Sequence, residues 1–337
     1  MILTLTPNPS IDVTLDMSTT LVPGEVHRAE AVSRTAGGKG INVAHALHLT
    51  GRKTTALFPA AIDDPFLTLT AETGLHHDVV TTTDRVRTNF TVTEAGGRTT
   101  KINGPGAHLS TQEFQALMDL TTQHADKADM VVLAGSLPPG VPADFYVDLL
   151  KTLREQNPEL PVAIDTSDEP IRVLAKNLAE SAPTVIKPNG YELGQLLGID
   201  GAELERSADA GDYTPVAQAA RELVARGIDD VVVTLGAAGA VLATAAGIWQ
   251  ASAPATTVRS TVGAGDASLA GYLMGRADGD QPPERLRRAV AYGTAAAGLP
   301  GTTTPRPSDV DLISPKVTEL ICLTRFSPRT SSSSTLI

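Results

Sequence analysis

Cysteine is nearly missing from this 337-residue chain: Cys322 is the only one. No internal disulfide can form, which suits a reducing compartment, and a cytoplasmic location is expected. Basic charge also runs short, with 27 Lys and Arg against 38 Asp and Glu. The net charge of −11 argues against nucleic acid and acidic membrane surfaces as partners. It leaves room for a local basic site that takes an anionic metabolite. The opening "MILTLTPNPS" has neither a basic n-region nor a long apolar run, so no signal peptide is read there. Metal-ligand spacings are lacking too: there is no HExxH and no CxxC, and the seven His are scattered. "AGSLPPG" places Pro138 where a G-x-S-x-G nucleophile elbow needs its last glycine.

One stretch, residues 231–250, holds no charge and is long enough to span a bilayer. Gly236, Gly239 and Gly247 cut it into short β-rich pieces. It reads as buried strands joined by glycine turns, and no membrane segment is expected.

What is present is an α/β rhythm. "ILTLTP" is a short apolar strand stopped by proline. "SIDVTLDM" (10–17), parts of 25–34 and "TNFTVTEAGGRTTKIN" (88–103) alternate as half-exposed strands do, the last around a Gly-Gly hairpin signal. From about residue 110, helical patterns alternate with the apolar runs "MVVLAG", "PVAID", "TVIKPN" and "DVVVTLG". That alternation predicts βαβ units and a parallel sheet covered by helices. The fold class is therefore α/β: one domain over 1–320, carrying a small β-sheet from about 10–36 and 86–106. A twice-inserted sheet suits a lid over a cleft. A last helix is expected over 308–320, and 321–337 read as a disordered polar tail.

Four clusters carry candidate chemistry. In "STVGAGDASLAGYL" (260–273), small residues let the amides from Val262 to Gly265 converge where a helix pattern begins. Such amides form an anion site. Asp266 then sits in the first turn, placed to take a proton from a hydroxyl while the amides stabilise a phosphoryl group. The helix terminus is expected to lower its pKa. The competing readings are a plain capped turn and a dinucleotide fingerprint, the latter weakened by Ser268 at the third small position. "AGGKGINVAHAL" (36–47) surrounds Lys39 with glycines before a helix. It is not a Walker A loop, and its bland reading is a tight turn with a solvated lysine. "VIKPNGYEL" (185–193) runs from a strand into Lys187, Asn189 and Glu192, at the strand end where sheet ligands bind. Asn189 and Glu192 either hold hydrated Mg²⁺ or form a capping box, and the two are compatible. "VTLGAAGA" (233–240) offers Thr234 and Gly236 to a nucleotide phosphate, or is simply a hairpin.

Taken together and in order, "TLTPNPSIDVT", "GGKGIN", "AGSLPPGV", "DTS", "KPNGYEL", "VTLGAAGA" and "STVGAGDASLAGYL" resemble the PfkB (ribokinase-like) family of carbohydrate kinases. The likeness covers nearly the whole chain to about residue 320. "RTN" (87–89) and "INGPG" (102–106) further resemble the branch that phosphorylates sugar phosphates. Ser260 stands where many sugar kinases of the wider family carry an aspartate.

The resemblance implies a three-layer α/β/α fold with a β lid, and transfer of phosphate from ATP with Mg²⁺. The expected acceptor is the 6-hydroxyl of D-fructose 1-phosphate, with tagatose 6-phosphate and fructose 6-phosphate as alternatives. It implies Asp266 as catalytic base and the amides of Gly263, Ala264 and Gly265 as the anion hole. Asp12, Gly38, Lys39 and Asn42 would bind the sugar, with Asn103 facing it from the lid. Lys187, Asn189 and Glu192 would serve the nucleotide phosphates and Mg²⁺. Thr234, Gly236 and Gly239 would lie along ATP. Arg87 and Lys39 are the candidates for the phosphate already on the sugar, Lys101 is a third, and Asp165 is a contact at a strand end. A nicotinamide dehydrogenase and a non-catalytic sugar-phosphate sensor are the readings from other classes. The lid's open sheet face invites a second copy, so a homodimer through the lid is expected.

Overall fold

The computed structural model describes residues 1–95, 98–253, 255–310 and 313–320. The first half runs β1 (Ile2–Leu5), β2 (Ser10–Asp16), β3 (Ala31–Gly37), α1 (Lys39–Leu49), β4 (Thr54–Ala61), α2 (Pro65–Glu72), β5 (His77–Thr82), β6 (Arg87–Thr93), β7 (Thr99–Ile102), α3 (Thr111–Ala125), β8 (Met130–Ala134) and α4 (Phe145–Gln156). The second runs β9 (Val162–Asp165), α5 (Asp168–Asn177), β10 (Val185–Ile186), α6 (Gly190–Leu197), α7 (Gly201–Asp209), α8 (Thr214–Ala225), β11 (Asp230–Thr234), β12 (Ala240–Thr244), β13 (Gly247–Ser252), α9 (Ala264–Ala277), α10 (Pro282–Ala297), α11 (Pro307–Val310) and β14 (Lys316–Glu319).

The main sheet has ten strands in the order β14-β13-β12-β11-β10-β9-β8-β1-β4-β5. From β11 to β5 the neighbours pair parallel. Parallel strands covered on both faces need apolar side chains on both. β8 shows this: Val131 and Leu133 pack with α4 on one face, and Met130, Val132 and Ala134 join the core under α9 and α10 on the other. β1 lies between β8 and β4, so the chain runs outward one way to β5 and then returns to build the other half. The carboxyl ends on either side of that reversal are where a doubly wound sheet binds ligand.

The second sheet has four strands in the order β3-β2-β6-β7. Period-2 alternation gives it two unlike faces. Asp12, Thr14, Thr35, Asn89 and Lys101 share one face through the strand registers. Ile11, Val13 and Phe90 share the other, where with Leu69 of α2 they line a groove of about 530 Å³. The polar face is turned to the main body. Thr35 and Thr302 share a 2.7 Å hydroxyl hydrogen bond, and Thr304 of the same segment reaches His45 Nδ1 on α1 at 3.0 Å.

Two sequence expectations change here. Among the described residues, the helix expected over 308–320 appears as the turn α11, and Lys316–Glu319 form strand β14 instead. Pro315 disfavours helical backbone in the residue before it. The alternating "KVTE" then pairs antiparallel with β13 along the sheet edge. Within 25–34 only the part from Ala31 is strand. The tail 321–337 and the Gly96-Gly97 turn fall outside the described residues. Residues 231–250 form β11, β12 and most of β13, and no helix among the described residues is long and apolar enough to cross a membrane.

Candidate active site

Loops converge at the carboxyl ends of the parallel strands. α9 opens at Gly263, whose φ of 77° is a left-handed conformation that glycine adopts without Cβ strain. No side chain caps that end, so its first amides remain available to an anion. Asp266 is the third residue of the helix and is 8% exposed. Asn42, one turn into α1, donates from Nδ2 to Asp266 Oδ2 at 2.7 Å.

Beside Asp266 lies a knot of charge. Asp165, fully buried at the end of β9, accepts from Lys39 Nζ at 2.6 Å and pairs with Lys187 Nζ at 3.1 Å. Lys187 Nζ stands 3.3 Å from where a Cβ on Gly265 would be, so its ammonium abuts the amide loop. Glu192 Oε1 is 3.9 Å from Lys39 Nζ. Burial alone would raise the Asp165 carboxyl, but Lys187 and Lys39 outweigh it and hold it below the usual value. Burial would lower the Lys39 ammonium, yet Asp165, Glu192 and Asp266 keep it above the ordinary lysine range. Asp266 goes the other way: burial raises it and the Asp165 charge adds to that, beyond what Lys39, Asn42 and Lys187 recover. The expected lowering by the helix terminus is therefore overturned, because desolvation and a like charge prevail.

Asn189 and Glu192 form the capping box of α6: Asn189 Oδ1 accepts from the Glu192 amide at 2.8 Å, and Glu192 Oε2 from the Asn189 amide at 2.9 Å. Both ligand atoms expected to face Mg²⁺ are thus committed to the helix, which leaves Glu192 Oε1, beside Lys39 Nζ, outside the capping box. Among the described residues no group of three or more His, Cys, Asp and Glu side chains gathers into a metal cage. That donor set does not suit a dedicated magnesium cage. It suits a hydrated ion that arrives on phosphates and needs one carboxylate oxygen. Thr234 pairs in a parallel bridge with Asn189, which brings the Gly236–Gly239 turn alongside the Lys-Pro-Asn loop.

A second group gathers where the small sheet meets β1. Asp12 accepts from Ser10 Oγ at 2.7 Å and Asn89 Nδ2 at 3.0 Å. A Cβ on Gly37 would lie 2.2 Å from Asp12 Oδ2, so this carboxylate rests against the bare Cα of the loop that carries Gly38. Burial raises the Asp12 carboxyl, partly offset by Ser10 and Asn89. Among the described residues Arg87 donates only to carbonyls, Asn8 O at 3.3 Å and Gly104 O at 3.4 Å, and its buried Nε has no partner. Asn8 Nδ2 reaches Ser136 Oγ at 3.1 Å.

The structure thus brings Asp266, Gly263, Ala264, Gly265, Asn42, Lys39, Lys187 and Glu192 into one cluster, and Asp12 and Arg87 into an adjoining one. Lys39 belongs with Asp165 rather than with Arg87, which separates the two residues expected to share the sugar's phosphate. Asn103 is exposed at the end of β7, and it is Asn89 that binds Asp12. Sequence reasoning passed over Asn8, Ser136 and Asn89. Ser136 follows an apolar run at a strand's carboxyl end, the same signal that marked Lys187.

The profile of the pfkB family carbohydrate kinases matches residues 6–309. The chain belongs to this family. It is therefore a carbohydrate kinase, a phosphotransferase, with the ribokinase-like fold. It is similar to the 1-phosphofructokinase of Haloferax volcanii, 36% identical over 92% of this chain and 95% of the relative. It is also similar to the ATP-dependent 6-phosphofructokinase isozyme 2 of Mycobacterium tuberculosis, 34% identical over 92% and 88%. The phosphofructokinase-2 of Escherichia coli, solved with substrates and products, superposes with a TM-score of 0.79 at 29% identity, covering 92% of this chain and 97% of that one. Another structure of that protein is its tetrameric inhibited form.

Proposed function

We propose that this kinase transfers the γ-phosphoryl group of ATP to the 6-hydroxyl of D-fructose 1-phosphate, giving fructose 1,6-bisphosphate. The observation that carries the transfer is the meeting of Asp266, the uncapped amides of α9 and the Lys187 ammonium at one point. The choice of acceptor rests on the 1-phosphofructokinase relatives, which are 31–36% identical over most of the chain.

In this reading Asp266 takes the proton of the acceptor hydroxyl as its oxygen bonds to the γ-phosphorus and the bond to the ADP oxygen breaks. Asn42 orients the carboxylate. The amides of Gly263, Ala264 and Gly265 and the Lys187 and Lys39 ammoniums meet the charge on the phosphoryl oxygens. Asn189, Thr234, Gly236 and Gly239 flank the nucleotide. Glu192 Oε1 would hold, through water, a magnesium ion bound to the phosphates, which would neutralise charge there. Asp12, with Gly38 and Asn103, takes sugar hydroxyls, and Arg87 with Asn8 and Ser136 faces the phosphate the sugar already carries. The small sheet, built from the segments near 10–36 and 86–106, is read as a lid that excludes water. Its apolar face leaves Val32 57%, Phe90 40% and Ile102 60% exposed, which supports a homodimer through that face.

The Mycobacterium relative favours a second acceptor, fructose 6-phosphate. A coupled ADP-release assay over fructose 1-phosphate, fructose 6-phosphate and tagatose 6-phosphate separates these. The highest kcat/KM is expected with fructose 1-phosphate, and a higher value for either other sugar overturns the assignment.

A further inference from the structure

We infer that Glu205, in the middle of α7, is a positioning residue for nucleotide binding: it holds the Lys-Pro-Asn loop in place by gripping the first amide of α6. This rests on the reading of that loop and of the Gly236–Gly239 turn as the two flanks of the nucleotide, and adds a residue behind them.

Glu205 Oε1 accepts from the Gly190 amide at 2.8 Å. Gly190 is the first residue of α6, and its N–H is one of those a helix leaves unpaired at that end. The capping box takes the Asn189 and Glu192 amides and leaves that of Gly190 over. Glu205, fifteen residues on, supplies the missing acceptor. A Cβ on Gly190 would find its three nearest neighbours all in Glu205, with Oε1 at 2.7 Å and Cγ at 2.9 Å. The glycine inside "KPNGYEL" is thus what admits the carboxylate. Two more glycines fix where Glu205 stands. A Cβ on Gly194 would lie 2.6 Å from Gly201 N, and one on Gly201 would lie 2.6 Å from Tyr191 Cα. These neighbours are backbone atoms that cannot swing aside, so α6 and α7 are locked together.

The same unit reaches the other flank. α7 packs on the turn that begins at Gly236, and Tyr213, just before α8, donates its hydroxyl to Ala238 O at 2.7 Å. The two flanks meet at their base in the bridge between Asn189 and Thr234. Joined at the base and held from behind, they keep a spacing that α7 sets. Of these holds, Glu205 is the one on the loop that carries Lys187 and Asn189. Without it the Gly190 amide is left part-buried and unpaired, and the end of α6 that faces the nucleotide loses its fixed direction.

The test is calorimetric titration of the full chain with ADP in magnesium buffer. Beside it stand KM values for ATP and for the sugar phosphate that the parent turns over best. Glu205→Ala is expected to weaken ADP binding and raise KM for ATP by about 10-fold, as for one buried donor left unpaired. KM for the sugar phosphate should stay within about twofold. Glu205→Gln keeps an acceptor oxygen and should recover most of the loss. Gly190→Ala should reproduce E205A, because its methyl group displaces the carboxylate, and the double variant should be no worse than E205A alone. Unchanged ADP affinity in E205A, no recovery in E205Q, or losses that add in the double variant each overturn the proposal. An equal rise in both KM values also overturns it, since that marks a merely structural role. Asn189→Ala separates two failures. If it weakens ADP binding and E205A does not, Glu205 alone is misassigned. If neither weakens it, the nucleotide does not lie on these loops, and the reading beneath falls as well.

Discussion

Asn42 Nδ2 and Asp266 Oδ2 lie 2.7 Å apart, a single hydrogen bond that ties the glycine-lysine loop's helix to the helix that carries the base. It fixes where the carboxylate points and eases the ionisation that burial opposes. Asn42→Ala should therefore cut kcat by about 10-fold or more, if one oriented hydrogen bond to a charged group is lost. It should also move the acid limb of the kcat profile to higher pH. A pH–rate profile that keeps its acid limb in place would remove Asn42 from this role.

Asp266→Asn should lower kcat by about 10²–10⁴-fold, the usual scale of general-base catalysis, with little change in ligand binding. Because Asp266 is raised in the folded protein, the base is lost as pH falls through a value above the ordinary aspartate range. The stability sign is opposite to that of a paired aspartate. The folded state favours the protonated form, so the stabilisation is complete below the unfolded pKa and lost as pH rises through the folded one. At neutral pH D266N should therefore be much slower yet melt higher than the parent. Calorimetry checks this, and a lower Tm would contradict it.

Asp165→Asn should do the reverse. Lys39 and Lys187 would lose their common partner, and breaking one side of a buried ion pair costs about 3–5 kcal/mol. In the parent this stabilisation is present above the unfolded pKa of the carboxyl and fades as pH falls through its lowered folded value. Thermal melts of parent and D165N should thus differ widely at neutral pH and converge in acid.

Gly37→Ala should weaken the sugar site from within, since its methyl group would press on the Asp12 carboxylate at 2.2 Å. About 1–3 kcal/mol of destabilisation is expected from such crowding. Sugar KM should rise more than ATP KM.

Phe90→Glu should shift the chain toward monomers in sedimentation, if the apolar face of the small sheet is where two copies meet. An unchanged sedimentation coefficient would refute that interface.

Much of this was legible in the sequence, for identifiable reasons. The uninterrupted apolar runs at 130–134 and 231–233 declared strands buried on both faces, and strand carboxyl ends pointed to Asp165 and Lys187. The glycines around Ala264 marked the amide loop. What failed was whatever depended on partners distant in sequence. "DVDLISPKVTEL" has helical composition, but a free edge at β13 and the proline at 315 decided for a strand. The acidity of Asp266 was read from its own helix, whereas burial in the folded protein, and after it the charge of Asp165 far back in the sequence, raise it. Lys39 gave no hint that a buried carboxylate would claim it.

The hydroxyl pair Thr35–Thr302 has a mechanical consequence. A neutral hydrogen bond at the surface is worth only about 1 kcal/mol net, since water replaces it on opening. Next to the apolar packing of Ile11 and Ala36 on Phe58 and Phe66, this contact is a clasp that thermal agitation undoes readily. The segment bearing Thr302 leaves the C-terminal end of α10, where Gly293 packs against Ala264 and Ser268, so the contact lies just past the helix end that abuts the turn carrying Asp266.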